Sequence, residues 1–270
     1  MRQGLDDFEI VIVDNASQDD TEALVGGLNN LHIRYFRNSE NFGPHYSSKL
    51  CLAEAVGRYI KYLCADDVLL DGVLLKQLEI LRRRPEVSLV SCDIYMTDSD
   101  LHNQKLYRFF PGLCSGPRLK NVCLSRLGNF IGGPSNFMFR RAGTADLVFD
   151  SSYHAIGDLK FALQLLERGA YANIDEPGHF YRRHPDSDSV VGVTADMHRF
   201  EIMRLVDEYD WWNPLSCLVA IWRVRSEWRK AVTEKWIRAF LPSHVLHAFT
   251  AFSDSVRLYI CNSHNQKDNL

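Results

Sequence analysis

The first half of this 270-residue chain alternates short runs rich in β-branched and aromatic residues with runs of helical periodicity. Such alternation is typical of an open, mostly parallel sheet whose strands are connected by covering helices. Turn or cap residues separate the runs, for example Gly57 after a helix predicted over 45–56. The pattern therefore predicts an α/β fold. The predicted strands of this half are Phe8–Val13, Leu31–Phe36, Arg58–Cys64 and Val87–Tyr95.

The alternation continues less regularly in the second half. Residues 97–129 predict loops around a short helix, and a further strand follows over 135–141. A helix over 157–169 precedes two more predicted strands, over 170–175 and 179–184. Beyond about residue 193 the pattern is helical up to a polar tail. We therefore predict a catalytic or binding domain over 1–192 and a helical C-terminal region over 193–270.

Composition narrows the class of protein. Hydrophobic residues make up 46% of the chain and charged residues 24%, as in ordinary soluble globular proteins. The net charge of -3 gives no general attraction to nucleic acid, so we expect no nucleic-acid partner. The seven cysteines show neither a Cys-x-x-Cys pair nor zinc spacing, which favours reduced thiols. Without a signal-peptide core or an apolar run of roughly 20 residues, the expected location is the cytoplasm.

Acidic side chains follow two of the predicted strands. Asp14 ends the first strand, and the adjacent Asp66 and Asp67 follow the third. Because open parallel sheets bind ligands at the carboxyl ends of their strands, the three carboxylates can face one crevice. A crevice lined with acids favours a divalent cation, which can in turn bind a diphosphate. The competing interpretation is structural, since aspartate is common in turns and an Asx turn to Ser17 would also account for Asp14.

An ordered set of motifs resembles the family 2 glycosyltransferases, which have the Rossmann-like GT-A nucleotide-sugar-binding fold. A strand ending in Asp14, an Asn41-x-Gly43 turn and a helix closing on Ala55-x-Gly57 occur here in the family's order, ahead of the acidic pair. Later runs resemble the acceptor half of the family, so the resemblance covers about residues 3–184. The runs that carry it are FEIVIVDNASQDDT, NFGPHYSSKLCLAEAVGRYIKYLCADD, GGPSNFMFRR, FDSSYHAIGDLKFALQLLERG and IDEPGHFYRRH.

The resemblance implies a role for each matched residue. Asp14 would accept a hydrogen bond from the nucleobase, and Asp66 and Asp67 would hold the ribose and a Mg²⁺ or Mn²⁺ ion bridging the diphosphate. Asp158 would be the catalytic base that takes the proton of the attacking hydroxyl, although a residue at this place also suits a helix N-cap. The expected nucleotide-sugar-binding residues are Asp14, Asn15, Lys49, Asp66, Arg182 and His184. Arg182 and His184 are equally well explained as an exposed pair at a strand end.

Three departures from the family pattern bear on these roles. Cys64 stands where the family often has a further aspartate, so the metal site would depend more on Asp67. Lys49 stands where asparagine is usual, and it would contact phosphate or remain a solvated helix residue. The family's chain also has a strand and a helix ahead of Gln3, and that strand normally lies in the middle of the sheet. We expect these elements to precede Met1 in the complete protein.

All five tryptophans lie in the C-terminal region, between Trp211 and Trp236. On a helical wheel of 222–240, apolar residues such as Val224 and Trp228 share one side, and charged residues occupy the other. Such a helix either lies on an anionic membrane surface, with contact over 214–240, or packs on protein. If the helix packs on protein, its partner would be the catalytic domain or a second subunit of a homo-oligomer. Packing on protein is the more usual case.

Motifs and resemblance together favour a metal-dependent, inverting glycosyltransferase. The donor would be a UDP- or dTDP-sugar, because a carboxylate at Asp14 suits the imide N–H of uracil or thymine. The acceptor would be a hydroxyl of a polysaccharide or a lipid-linked glycan, met in the cytoplasm or at the inner face of the membrane. The alternatives are a non-catalytic binding or scaffold protein with the same fold and, more distantly, a nucleotidyltransferase.

Overall fold

The computed structural model describes residues 3–147, 149–185, 187 and 195–209. The chain divides into two units, Met1–Val122 with Asn129–His198 and Cys123–Gly128 with Arg199–Leu270. The region predicted to be helical over 193–270 contributes one described helix. The membrane or subunit contact predicted over 214–240 lies outside the described residues. None of the described helices combines the length and the hydropathy needed to cross a bilayer.

The described elements follow the predicted alternation through the first half of the chain. Short strands and turns then separate the remaining helices. In chain order the elements are β1 (Ile10–Asp14), α1 (Thr21–Gly27), β2 (Ile33–Arg37), α2 (Pro44–Glu54), β3 (Tyr59–Lys61), β4 (Val68–Leu69), α3 (Val73–Arg83), β5 (Val87–Thr97), β6 (Lys105–Tyr107), β7 (Leu113–Cys114), α4 (Gly116–Ser125), a 3-10 turn (Pro134–Asn136), β8 (Met138–Arg140), α5 (Gly157–Leu166), β9 (Ala170–Arg182) and α6 (Ala195–Glu208).

The strands form two sheets, a parallel pair and a larger sheet of mixed direction. β1 and β2 pair in parallel as a two-stranded sheet, and a seven-stranded sheet has the order β3-β8-β5-β9-β4, with β6 beside β5 and β7 beside β9. β5 and β9 are parallel, whereas β8 is antiparallel to both β3 and β5, and β4 is antiparallel to β9. The sheet is therefore less parallel than the alternation predicted. An antiparallel strand such as β8 needs no crossover helix, so the helical periodicity does not announce it.

Each sheet has an open strand edge on the described part of the chain. In the described part of the chain, no strand pairs with β1 on the side away from β2, or with β3 on the side away from β8. Side chains join the sheets instead. Glu9 Oε1 accepts hydrogen bonds from the amides of Val56 and Gly57, at 2.6 and 2.9 Å, just ahead of β3. Arg34 on β2 binds the Glu54 carboxylate at 3.0 Å.

The hydrophobic core lies on both faces of the larger sheet. On one face, α3 packs its apolar side on β5, β8 and β9, and this cluster consists of Leu78, Leu81, Val87, Val90, Met138 and Ala172. On the other face, Phe161 of α5 stacks on Phe149 with ring centroids 4.2 Å apart and meets Phe139 edge-on. By contrast, α1 and α2 contribute no fully buried residue. The larger sheet is thus the rigid part that positions the site.

Candidate active site

The acidic turn between β3 and β4 is held against the end of β9. Val68 and Leu69 of β4 pair with Phe180 and His179, which brings the turn beside the last residues of β9. Asp66 Oδ2 lies 3.1 Å from His184 Nε2, and both side chains are about one-third exposed, at 37% and 29%. The structure thus brings Asp66 and His184 together at the surface of a cleft.

Asp67 faces inward beneath this pair. Its side chain is only 3% exposed, and Oδ1 accepts a hydrogen bond from the backbone amide of Arg182 at 3.3 Å. Oδ2 is buried without a hydrogen-bond partner, as is Arg182 Nε. Burial raises the pKa of the Asp67 carboxyl to about 6, and the negative charge of Asp66 adds to the rise, while bonds from Ser135 and Arg182 offset part of it. A carboxylate in this state gains from a cation nearby.

Asp158 belongs to the same cleft. It lies in the first turn of α5, where the N-cap residue is Ile156, so Asp158 is not itself the cap. Its Oδ1 accepts the amide of Leu159 at 2.8 Å, and a Cβ placed on Gly133 would lie 3.7 Å from Oδ2. The helix N-terminus favours the ionised form of this carboxylate.

Cys64 reports the proximity of the three carboxylates. Its thiol pKa is raised to about 12, first by desolvation and then by Asp67, Asp66 and Asp158 together. Although the residue as a whole is exposed, surrounding protein atoms desolvate the sulfur. The thiol is therefore protonated at neutral pH and unsuited to act as a nucleophile or as a metal ligand.

Asp14 is engaged within its own loop. Its side chain is fully buried, with Oδ1 accepting the Ser17 amide at 2.8 Å and Oδ2 accepting the Tyr35 hydroxyl at 2.5 Å. Burial alone would raise the pKa of this carboxyl, but these bonds and the charge of Arg37 lower it overall. In the described chain, no hydrogen bond or ion pair joins Asp14 to Asp66 or Asp67.

Asn15 organises the loop beside Asp14. Its Oδ1 accepts bonds from Asn38 Nδ2 at 2.9 Å and from the Phe42 amide at 3.0 Å, and its Nδ2 donates to Asn41 at 2.6 Å. These bonds fix the turn that opens α2. In that helix His45 packs so closely on Gly157 that any Cβ at 157 would lie within 2.4 Å of the imidazole ring. The loop that carries Asn15 is thereby placed next to the start of α5 and Asp158.

The remaining predicted residues lie at the margin of the cleft. Lys49 is exposed on α2, and no hydrogen bond or ion pair is described for it, which matches the solvated alternative as well as a phosphate contact. The structure therefore groups Asp66, Asp67, Asp158, Arg182 and His184 together. Asp14 and Asn15 form a second group on the smaller sheet.

Sequence reasoning missed a polar group under the acidic turn. Lys61 is half-buried, and desolvation of its amine lowers the pKa of that group. Its Nζ donates to the Ser135 carbonyl at 2.7 Å and to Gln77 Oε1 at 3.1 Å. His179, fully buried on β9, lies 3.7 Å from Asp67 through Nε2. A lysine in the otherwise apolar run YIKYL was the available signal, whereas nothing in the sequence around His179 singles it out.

Comparisons with known proteins identify the fold and the family of the chain. The model of the family described as "Glycosyl transferase family 2" matches residues 1–148. Two solved structures of residues 1-349 of S. aureus TarS align with the chain. The complex with UDP-GlcNAc gives a TM-score of 0.62 at 16% identity and covers 85% of this chain and 67% of the TarS chain. The complex with UDP gives a TM-score of 0.64 at 16% identity and covers 90% of this chain and 75% of the TarS chain. This likeness shows that the fold is GT-A.

Curated relatives match over different shares of their length. An uncharacterized protein of Mycobacterium tuberculosis is 28% identical over 84% of this chain and 75% of its own length. The minor teichoic acid biosynthesis protein GgaA of Bacillus subtilis is 25% identical over 69% of this chain and 42% of its own length. A GalNAc(5)-diNAcBac-PP-undecaprenol beta-1,3-glucosyltransferase of Campylobacter jejuni is 37% identical over 27% of this chain and 24% of its own length. The family model matches more than half of the residues of this chain, so the chain belongs to glycosyl transferase family 2.

Proposed function

We propose that this protein transfers a sugar from a nucleotide-sugar donor to a hydroxyl of a cell-surface polysaccharide or a lipid-linked glycan. The observation that carries the proposal is the cleft in which Asp66 meets His184 while Asp158 lies close by. The complexes of TarS with UDP and UDP-GlcNAc favour a UDP-sugar, with a dTDP-sugar as the second choice. Relatives named for teichoic acid synthesis and for a glucosyltransferase acting on an undecaprenol-linked glycan favour a bacterial cell-envelope acceptor.

A divalent cation, Mg²⁺ or Mn²⁺, fits the acidic turn. Within the described ranges no group of three or more histidine, cysteine, aspartate or glutamate side chains forms a metal site. Mg²⁺ characteristically takes one or two carboxylates from protein and the remaining ligands from substrate phosphate and water. Asp66 is the exposed carboxylate, and Asp67 adds negative charge with an unpartnered oxygen beneath it. When bound, the cation would stabilise charge on the leaving diphosphate.

The chain's own residues would divide the remaining work. The Arg182 side chain, at the end of β9, would neutralise phosphate oxygens of the donor. Asp158 would accept the proton of the acceptor hydroxyl, and a single displacement with one base inverts the anomeric configuration. Asp14 and the Asn15 loop would position the nucleoside, with Lys49 at the phosphate side. The acceptor would be met in the cytoplasm or at the inner face of the membrane.

Ligand binding and a base variant test the proposal. UDP with Mn²⁺ at a hundred times the dissociation constant should add about 2.7 kcal/mol to the free energy of unfolding. Asp158→Asn should abolish transfer from UDP-GlcNAc or another UDP-sugar and leave UDP affinity unchanged. Asp7→Asn, an exposed change on the surface, is the matched control and should retain activity.

Three results would contradict the proposal or a part of it. The absence of any stability change with UDP or dTDP and Mn²⁺ would favour the non-catalytic scaffold. Full transfer activity in Asp158→Asn would remove Asp158 from the reaction while leaving nucleotide binding in place. Transfer of nucleotide rather than sugar to the product would identify a nucleotidyltransferase.

A further inference from the structure

A buried polar layer lies directly under the acidic turn. Lys61 and Gln77 bond to the 3-10 turn, where Gln77 Nε2 donates to the Asn136 carbonyl at 2.7 Å. Asn136 Nδ2 in turn donates to the Cys92 carbonyl at 2.9 Å. The layer consists of Lys61, Gln77, Cys92, Ser135, Asn136 and His179. These bonds leave the imidazole of His179 as the part of the layer with unused hydrogen-bonding capacity.

His179 stands between Cys92 and Asp67. Its Nδ1 lies 3.8 Å from Cys92 Sγ, and its Nε2 lies 3.7 Å from Asp67 Oδ2. Both Nε2 and Oδ2 are buried, and neither has a hydrogen-bond partner in the described chain. A buried carboxylate oxygen without a donor is unfavourable, and His179 Nε2 is the nitrogen that faces it.

In a neutral imidazole one ring nitrogen carries the hydrogen, and Nε2 of His179 is the nitrogen that lies near Asp67 Oδ2. If that hydrogen is on Nε2, it points to the carboxylate, and Nδ1 is free to accept the thiol hydrogen of Cys92. The thiol also donates to the Asn136 carbonyl 3.2 Å away, which accepts Gln77 with its second lone pair.

Close packing of β9 supports this geometry. Gly178, the residue before His179, lies so near to the neighbouring elements that a Cβ there would be 2.5 Å from Cys92 Sγ and 2.7 Å from Val73 Cγ2. Only glycine lets the strand approach Cys92 to this distance. The approach is what brings the His179 ring under the acidic turn.

Asp67 connects this layer to the residues of the cleft. Its other oxygen, Oδ1, holds the Arg182 amide, and the chain continues from there to His184. We propose that His179 is a positioning residue, whose Nε2–H faces Asp67 Oδ2 across 3.7 Å and so holds the end of β9 against the turn that carries Asp66. The Asp66–His184 spacing of 3.1 Å would follow from this connection. The inference concerns the cation and diphosphate site, and in that respect it rests on the proposed function.

The first experiment reads the tautomer of His179 in the protein without metal or nucleotide. Long-range ¹H–¹⁵N correlation spectra distinguish a ring protonated on Nε2 from one protonated on Nδ1. The expected result at pH 7.5 is the Nε2–H form. A ring that carries its hydrogen on Nδ1 would overturn the proposal. This measurement stands even if the protein binds no nucleotide sugar, and it needs no variant that folds.

The second experiment compares two amide replacements with the same chemical groups. Glutamine places its amide near the position of Nε2, whereas asparagine places it near Nδ1. His179→Gln should therefore keep the affinity for Mn²⁺, measured by electron paramagnetic resonance at saturating UDP, within about threefold of the parent protein. His179→Asn and His179→Ala should weaken it about 10- to 100-fold, the usual effect of removing a group that orients a metal ligand.

The outcomes separate the inference from the proposed function. Equal Mn²⁺ affinity in the glutamine and asparagine variants, whether both weak or both unchanged, would refute the positioning role while wild-type binding upholds the function. Urea unfolding of both variants provides the control for stability, because a purely structural role would reduce stability and affinity in the same order. If the parent protein binds no Mn²⁺ with UDP, the proposed function fails. The tautomer measurement alone then tests the contact between His179 and Asp67.

Discussion

Replacing Asp67 with asparagine should stabilise the metal-free protein above pH 6. In the folded state the pKa of the Asp67 carboxyl is raised from 3.8 to about 6, chiefly by burial, so this state retains a proton that the unfolded state releases. Stability therefore falls as the pH rises from 3.8 to 6, and the whole penalty is present above that range. This difference between the two pKa values corresponds to about 3 kcal/mol of lost folding stability. This is an upper limit, since asparagine weakens the bonds to Ser135 and Arg182, and a gain of about 1 to 2 kcal/mol is expected.

The measurement is urea unfolding followed by circular dichroism, in EDTA, at pH 8 and at pH 4. Asp67→Asn should be more stable than the parent protein at pH 8, and this difference should shrink at pH 4, where both states of the parent approach protonation. Asp7→Asn, at an exposed position, should show no such dependence. A variant that is less stable at pH 8, or a difference that is equal at the two pH values, would refute the reasoning. With UDP and Mn²⁺ the parent protein should be the more stable of the two, because the cation needs the negative charge of the Asp67 carboxylate.

Three further predictions concern packing and charge. Gly178→Ala should cost about 1 to 3 kcal/mol in urea unfolding, because its Cβ would overlap Cys92 and Val73, whereas Gly26→Ala, with no atom within 4 Å, should be neutral or stabilising. Phe161→Ala should cost about 3 to 5 kcal/mol, since the ring is fully buried against Phe149, and the exposed Phe42→Ala should change stability by less than about 1 kcal/mol. Asp150 has its pKa lowered to about 2, because bonds from Lys160 and Ser152 outweigh burial. Its contribution is therefore present above pH 4 and lost as the pH falls to 2, and Lys160→Met should remove that part of the acid dependence in a stability titration.

The sequence was sufficient for the class of fold and the family. Regular alternation over the first ninety or so residues reflects βαβ units, and the order of motifs around Asp14, Asn41 and Asp66 identified the family that the family model confirms. The helices α3 and α5 were also predicted, because their apolar periodicity and end residues are local properties. Each of these signals is contained within one element.

Elements that depend on a distant partner were not predicted. No strand is predicted at Val68 and Leu69, the two residues of β4, because they pair with β9 more than a hundred residues later. β9 itself is continuous through Asp175, where the backbone adopts φ of 56°, although the composition Asp-Glu-Pro-Gly predicted a break between two strands. Pairing with β5 on the other edge sustains the strand through an irregular register.

The candidate site shows the same limit. Asp66, Asp158, Arg182 and His184 were selected by resemblance, and the structure places them in one cleft. The inward orientation of Asp67 and its contact with His179 could not be predicted, because the sequence gives only that two aspartates are adjacent. Which of two neighbouring side chains faces solvent depends on how β4 pairs with β9.

The open edges of β1 and β3 affect how the molecule fluctuates. Cross-strand bonds normally make a sheet open as one cooperative unit, but here the parallel pair of β1 and β2 is attached through the carboxylate of Glu9 and the guanidinium of Arg34. Hydrogen–deuterium exchange should therefore be fast in this pair and slow in β5 and β9. The loop of Asp14 and Asn15, at the end of β1, should thus loosen more readily than the acidic turn.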